Sequence, residues 1–75
     1  MKLYEIGSNI RDLRKEKSLT QEQLSKLCGI SRVTLGKIER GEVTSVSVYI
    51  LDLILSSLGY EIHFQSINNF GLVNL

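Results

Sequence analysis

Lys37 and Arg40 share a helical face with Val33, and Gly36 lies beside them. At about 100° per residue, Leu35 and Ile38 fall on the far side of that helix. Two cations and a small aliphatic group are therefore turned outward while the large apolar residues turn in. Such a face suits a DNA major groove, where Lys or Arg donates to guanine edges and an aliphatic group meets a thymine methyl. A solvated amphipathic helix is the competing explanation from this helix alone.

The stretch that must position this face runs over residues 20–41, TQEQLSKLCGISRVTLGKIERG. Thr20 can cap a first helix, with Gln23 three residues on reaching back in a capping box. Leu24, Leu27 and Cys28 recur at helical spacing as one apolar stripe, and Gly29 supplies a left-handed stop. Ile30 plugs the turn. Ser31 caps a second helix, which Gly41 closes. Two capped helices joined by about three residues make a helix-turn-helix.

A chain of 75 residues is one domain with a modest core, so a staple or a partner subunit is expected. The lone Cys28 excludes an internal disulfide framework and leaves no Cys/His cluster for zinc. It reads as a small buried packing residue. No apolar run approaches the ~20 residues of a membrane span, and no secretory leader is expected after Met1. Together these predict a reducing, cytoplasmic setting.

The net charge of +1 hides a segregation. All nine Lys and Arg lie within residues 2–40 against five acids, a net of +4, whereas residues 41–75 carry three acids and no Lys or Arg, a net of −3. The basic half has the footprint of a phosphate-backbone binder, and the apolar half suits self-association or a protein partner.

Residues 6–17 predict a helix with Ile6, Ile10 and Leu13 on one face. Gly7 is a poor interior residue that would move the start toward Ser8. Arg14 reads as an ordinary solvated charge, and Arg11 as either solvated or functional. Residues 42–45 read as a loop. Residues 46–58, VSVYILDLILSSL, predict a helix stopped by Gly59. Val48, Leu51, Leu55 and Leu58 form its inward stripe, with Ile50, Leu53 and Ile54 lying off it. Its second apolar face would be an exposed patch unless covered, a mark of an interface.

Residues 60–65, YEIHFQ, alternate like a strand. A lone strand needs a ladder partner, and the simplest is its copy across a two-fold axis, with Tyr60, Ile62 and Phe64 as dimerisation residues. The tail 66–75, with Phe70, Leu72 and Val73, is expected either to lack order or to serve as a docking peptide. His63 is a lone histidine without a second ligand or a nucleophile. An enzyme is not expected, nor any metal or cofactor.

The pattern T-Q-x-x-L-S-x-x-x-G-I-S-x-x-x-L-x-x-I-E-x-G resembles the Cro/lambda-repressor helix-turn-helix family, also called XRE. The following helix, ending in LGYEIHF, is similar to HipB-like antitoxins, small repressors that dimerise partly through a C-terminal strand and neutralise a HipA-like kinase toxin. The resemblance implies an all-α, lambda-repressor-like domain of four to five helices with a C-terminal β-strand pairing across a homodimer. It divides the chain into a DNA-binding domain at 1–59, a dimerisation strand at 60–65 and a tail at 66–75. It implies that Gln21 touches a DNA phosphate, a role also suited to a helix N-terminus. Ser31, Arg32, Val33, Thr34 and Lys37 would contact bases and nearby backbone, Arg40 phosphate, and Glu39 would be structural. Gly36 departs from the polar residue often found there, so one base contact open to relatives is missing. Paired recognition helices imply a palindromic operator. The implied function is a sequence-specific, autoregulating repressor and antitoxin. The alternative is a stand-alone prophage repressor or restriction–modification controller.

Overall fold

The computed structural model of the chain describes residues 2–67. A single 3-10 turn, Leu3–Glu5, leads into α1, Ile6–Glu16. Then come α2, Gln21–Cys28, α3, Arg32–Glu39, and α4, Val48–Ser57. Among the described residues the chain is helical, with four α-helices, compatible with a lambda-repressor-like domain. α3 packs against both α1 and α2, and α4 packs against α2. Ile10, Leu24, Cys28, Leu35, Ile38, Ile54 and Leu58 form the buried core.

Helix starts follow local chemistry. The Thr20 hydroxyl accepts from the Gln23 N–H at 3.0 Å while Gln23 Oε1 accepts from the Thr20 N–H at 2.8 Å, which is the expected capping box. Ser31 caps α3 by accepting from Thr34 N–H at 3.0 Å. Ser47 caps α4 through Ile50 N–H at 3.1 Å, so that helix begins at Val48 rather than at residue 46.

All four helices stop in the same way. A residue just beyond the last helical turn takes a left-handed conformation, and its N–H and the next one fold back onto carbonyls of that turn, as in Leu19 to Arg14 and Tyr60 to Leu55. Gly29, Gly41 and Gly59 serve as the left-handed residue in three of them, as anticipated. Ser18, with φ of 60°, serves in α1 without the freedom glycine has.

Several expectations are corrected. Gly7 does not delay α1, which begins at Ile6. It is buried, and a Cβ there would overlap the Ile38 carbonyl oxygen, so glycine is what lets α1 cross the end of α3. Leu27 does not join the core and is 62% exposed. The buried side of α2 is set by Leu24, Ser25 and Cys28, and Leu27 lies past its edge. Val48 is 72% exposed, and the inward face of α4 centres on Ile54 and Leu58, with Ile50, Leu51 and Leu55 half-buried beside them. A helix apolar on several sides does not fix its inward face by periodicity alone, and packing against α2 selects it. Apart from these corrections, residues 60–65 carry no ladder among the described residues of the single chain, and the expected pairing is with a second chain. Most of the expected tail, including Phe70, Leu72 and Val73, lies outside the described residues.

Candidate nucleic-acid interface

The exposed face of α3 is supported from below by a chain of polar side chains. Arg14, expected to be solvated, is buried on α1 and forks onto Glu39 at the end of α3. Its Nε donates to Oε2 at 2.7 Å and its Nη2 to Oε1 at 3.1 Å. Its remaining nitrogen donates to the Leu19 carbonyl at 2.7 Å. A two-point guanidinium–carboxylate pair satisfies both desolvated charges, as burial of ions requires. Glu39 is thus structural, as the resemblance implied.

The chain continues outward. Gln21 Nε2 donates to Glu39 Oε1 at 3.0 Å, and Gln21 Oε1 accepts from Arg32 Nη1 at 3.3 Å. Gln21 therefore spends its carbonyl and one amide hydrogen inside the protein, leaving a second amide hydrogen to donate. Arg32, the first residue of α3, is held by its neighbour on α2.

The remaining candidate residues lie on the surface of the same unit. Ser31 donates to the Thr34 hydroxyl at 2.9 Å while capping the helix, so its own hydroxyl is committed and that of Thr34 keeps its proton to donate. Val33 is 60% exposed, and Thr34 and Lys37 are exposed. Arg40 Nε lies 3.4 Å from Glu42 Oε2 in a solvent-exposed ion pair, a kind that water and salt weaken. Gln21, Arg32, Val33, Thr34, Lys37 and Arg40 thus belong to the α2–α3 unit, backed by buried Leu35 and Ile38. Tyr60, Ile62 and Phe64 lie elsewhere, beyond α4, and all three are exposed.

Arg14 escaped the sequence because its partner is 25 residues away. The only available signal was the pairing of a helix-borne Arg with the Glu of the I-E-x-G ending. Glu42 was also missed as the neutralising neighbour of Arg40.

Among the described residues no cluster of His, Cys, Asp and Glu could hold a metal, and no helix is long and apolar enough to cross a membrane. A sequence profile of the helix-turn-helix family matches residues 10–65, most of the chain and all of the unit just described. The chain belongs to the XRE helix-turn-helix family. That family consists of DNA-binding regulators and is generally non-enzymatic. The chain is also 45% identical over 49 residues to Antitoxin PezA of Streptococcus pneumoniae, covering 65% of this chain and 30% of that protein. It is 38% identical over 48 residues to an uncharacterised HTH-type transcriptional regulator, y4dJ, of Sinorhizobium fredii, covering 64% of this chain and 62% of that one. The matched region spans less than two thirds of either relative.

Proposed function

We propose that this XRE-family chain is a sequence-specific transcriptional repressor whose α3 enters the DNA major groove. Val33 and Lys37 read base edges, Ser31, Arg32 and Thr34 lie where the helix start meets bases and adjacent backbone, and Gln21 and Arg40 meet phosphate. One observation carries the reading. The outward side of α3 displays cations and a small aliphatic group while its ends are tied into the core, which gives base-reading groups a fixed platform. The DNA-binding domain spans residues 1–59. Residues 60–65 pair with their copy in a homodimer through Tyr60, Ile62 and Phe64, so the operator is palindromic. In support, an apolar groove of about 580 Å³ opens between α1, α4 and this segment, lined by Ile6, Leu13, Leu51, Leu55, Tyr60 and Ile62. The tail 66–75 is left for a partner.

The protein acts in the cytoplasm as an antitoxin that represses its own promoter. The likeness to Antitoxin PezA supports that role. The narrower reading, a HipB-like antitoxin with a HipA-like kinase toxin, rests on the LGYEIHF resemblance. A stand-alone regulator is the second reading, favoured by the name of the Sinorhizobium relative. Selecting duplexes from a random-sequence pool tests the first claim, with a palindromic consensus expected. Lys37→Ala should then lose about 1–3 kcal/mol at particular operator positions. A loss spread evenly over all sequences would make Lys37 a phosphate contact instead. Affinity capture from the native host separates the two roles: recovery of a kinase-like protein with the promoter supports the antitoxin, and recovery of DNA alone supports the stand-alone regulator.

A further inference from the structure

Glycine is an unexpected residue for the middle of α3. It weakens a helix relative to alanine, and Gly36 has no left-handed backbone that would demand it. What it supplies is room. A Cβ at position 36 would lie 3.4 Å from Arg40 Nη1, 3.8 Å from Gln21 Oε1 and 3.9 Å from Gln21 Nε2. The guanidinium and the amide therefore sit over the same bare patch of α3 backbone. Gly36 is accordingly buried, although Val33, Lys37 and Arg40 around it are exposed. Arg32 joins the group through its 3.3 Å hydrogen bond to Gln21 Oε1.

We propose that Gly36 is a positioning residue for DNA binding: its bare backbone is the floor of a phosphate seat walled by Arg40, Gln21 and Arg32. The inference rests on the DNA-binding reading above. The walls are mainly donors. Arg40 and Arg32 are fixed cations, and Gln21 keeps an amide hydrogen. The carboxylate behind them, Glu39, already has both oxygens engaged by Arg14 and Gln21. Among the described residues Arg40 has one exposed partner, Glu42, to give up for a phosphate. A methyl group at position 36 meets its neighbours at ordinary contact distance, and a longer side chain takes the space that Arg40 occupies.

The test uses the full chain, a duplex that the wild-type chain selects from a random-sequence pool, and a mixed-sequence duplex, titrated at several salt concentrations. Gly36→Ala is expected to melt above wild type, since its methyl meets Arg40 at ordinary contact distance and alanine favours a helix. Gly36→Leu, with Gly36→Met as a second long and helix-compatible side chain, is expected to lose about tenfold on both duplexes. Its salt slope should fall by about one. In an Arg40→Ala background the same substitutions should cost nothing further, whereas Lys37→Ala should cost the same in either background. Wild-type binding by both long variants overturns the proposal, as does an undiminished loss in the Arg40→Ala background. If the wild-type chain selects no duplex, the DNA-binding reading itself falls and the seat with it.

Discussion

α3 and α4 begin alike and end up with different outward surfaces. Each has a serine cap whose hydroxyl accepts from the third helical N–H, and each closes on a left-handed glycine. α3 then buries Leu35 and Ile38 and turns Arg32, Val33, Thr34 and Lys37 to solvent, with its end held by the Arg14–Glu39 pair. α4 is apolar on several sides, buries Ile54, and leaves Val48 and Tyr49 at least 70% exposed. Capping starts a helix, and the far side of the helix decides whether its rotation about its own axis is fixed. Polar ties from α1 and α2 hold α3, whereas α4 keeps an exposed apolar side, which on the proposed reading is where a partner would sit.

The largest effect should come from cutting the tie under α3. Glu39→Ala leaves Arg14 buried without its counter-charge and is expected to cost about 3–5 kcal/mol in denaturant unfolding. A loss below about 1 kcal/mol would mean the pair does not hold α3, and the contrast with α4 would lapse. Gly7→Ala drives a methyl into the Ile38 carbonyl and should cost about 1–3 kcal/mol, as overpacked sites do. Its melting temperature should drop accordingly.

These two positions also show what the sequence could and could not say. Thr20 with Gln23, Gly29, Ser31, Gly41 and Gly59 were legible because caps and stops are chemistry between residues a few positions apart. Arg14 and Gly7 were not, because each is explained by a residue on α3 that only the fold brings close. Leu27 and Val48 were misplaced for a related reason: periodicity finds an apolar stripe but not its edge, and the neighbouring helix sets that edge. At the interface, residue types alone picked out the outward side of α3. The bond from Gln21 to Arg32 and the room over Gly36 arise only where the fold brings α2 against α3.

On the other side of the comparison, Ile62→Asp is expected to lower the dimer fraction in sedimentation, because it puts a carboxylate into the apolar face that the two copies would share. An unaltered dimer would move the interface onto α4. The smallest effect is expected at Ser18, the left-handed stop without a glycine. Ser18→Gly should raise stability by up to about 1 kcal/mol in the same denaturant assay, by removing the strain of a side chain in that conformation. No gain would mean that the added freedom of the unfolded chain cancels the relief.

The tie from Arg14 through Glu39 and Gln21 to Arg32 also bears on how the protein can evolve. Arg32 shares its guanidinium with the Gln21 carbonyl, so a substitution there alters a surface contact and a packing contact together. Among the described residues Val33 and Lys37 carry no side-chain hydrogen bond or ion pair within the protein, so nothing internal is lost when they change. New operator preferences should therefore arise first at those two positions, and changes at position 32 should follow only with compensation at Gln21.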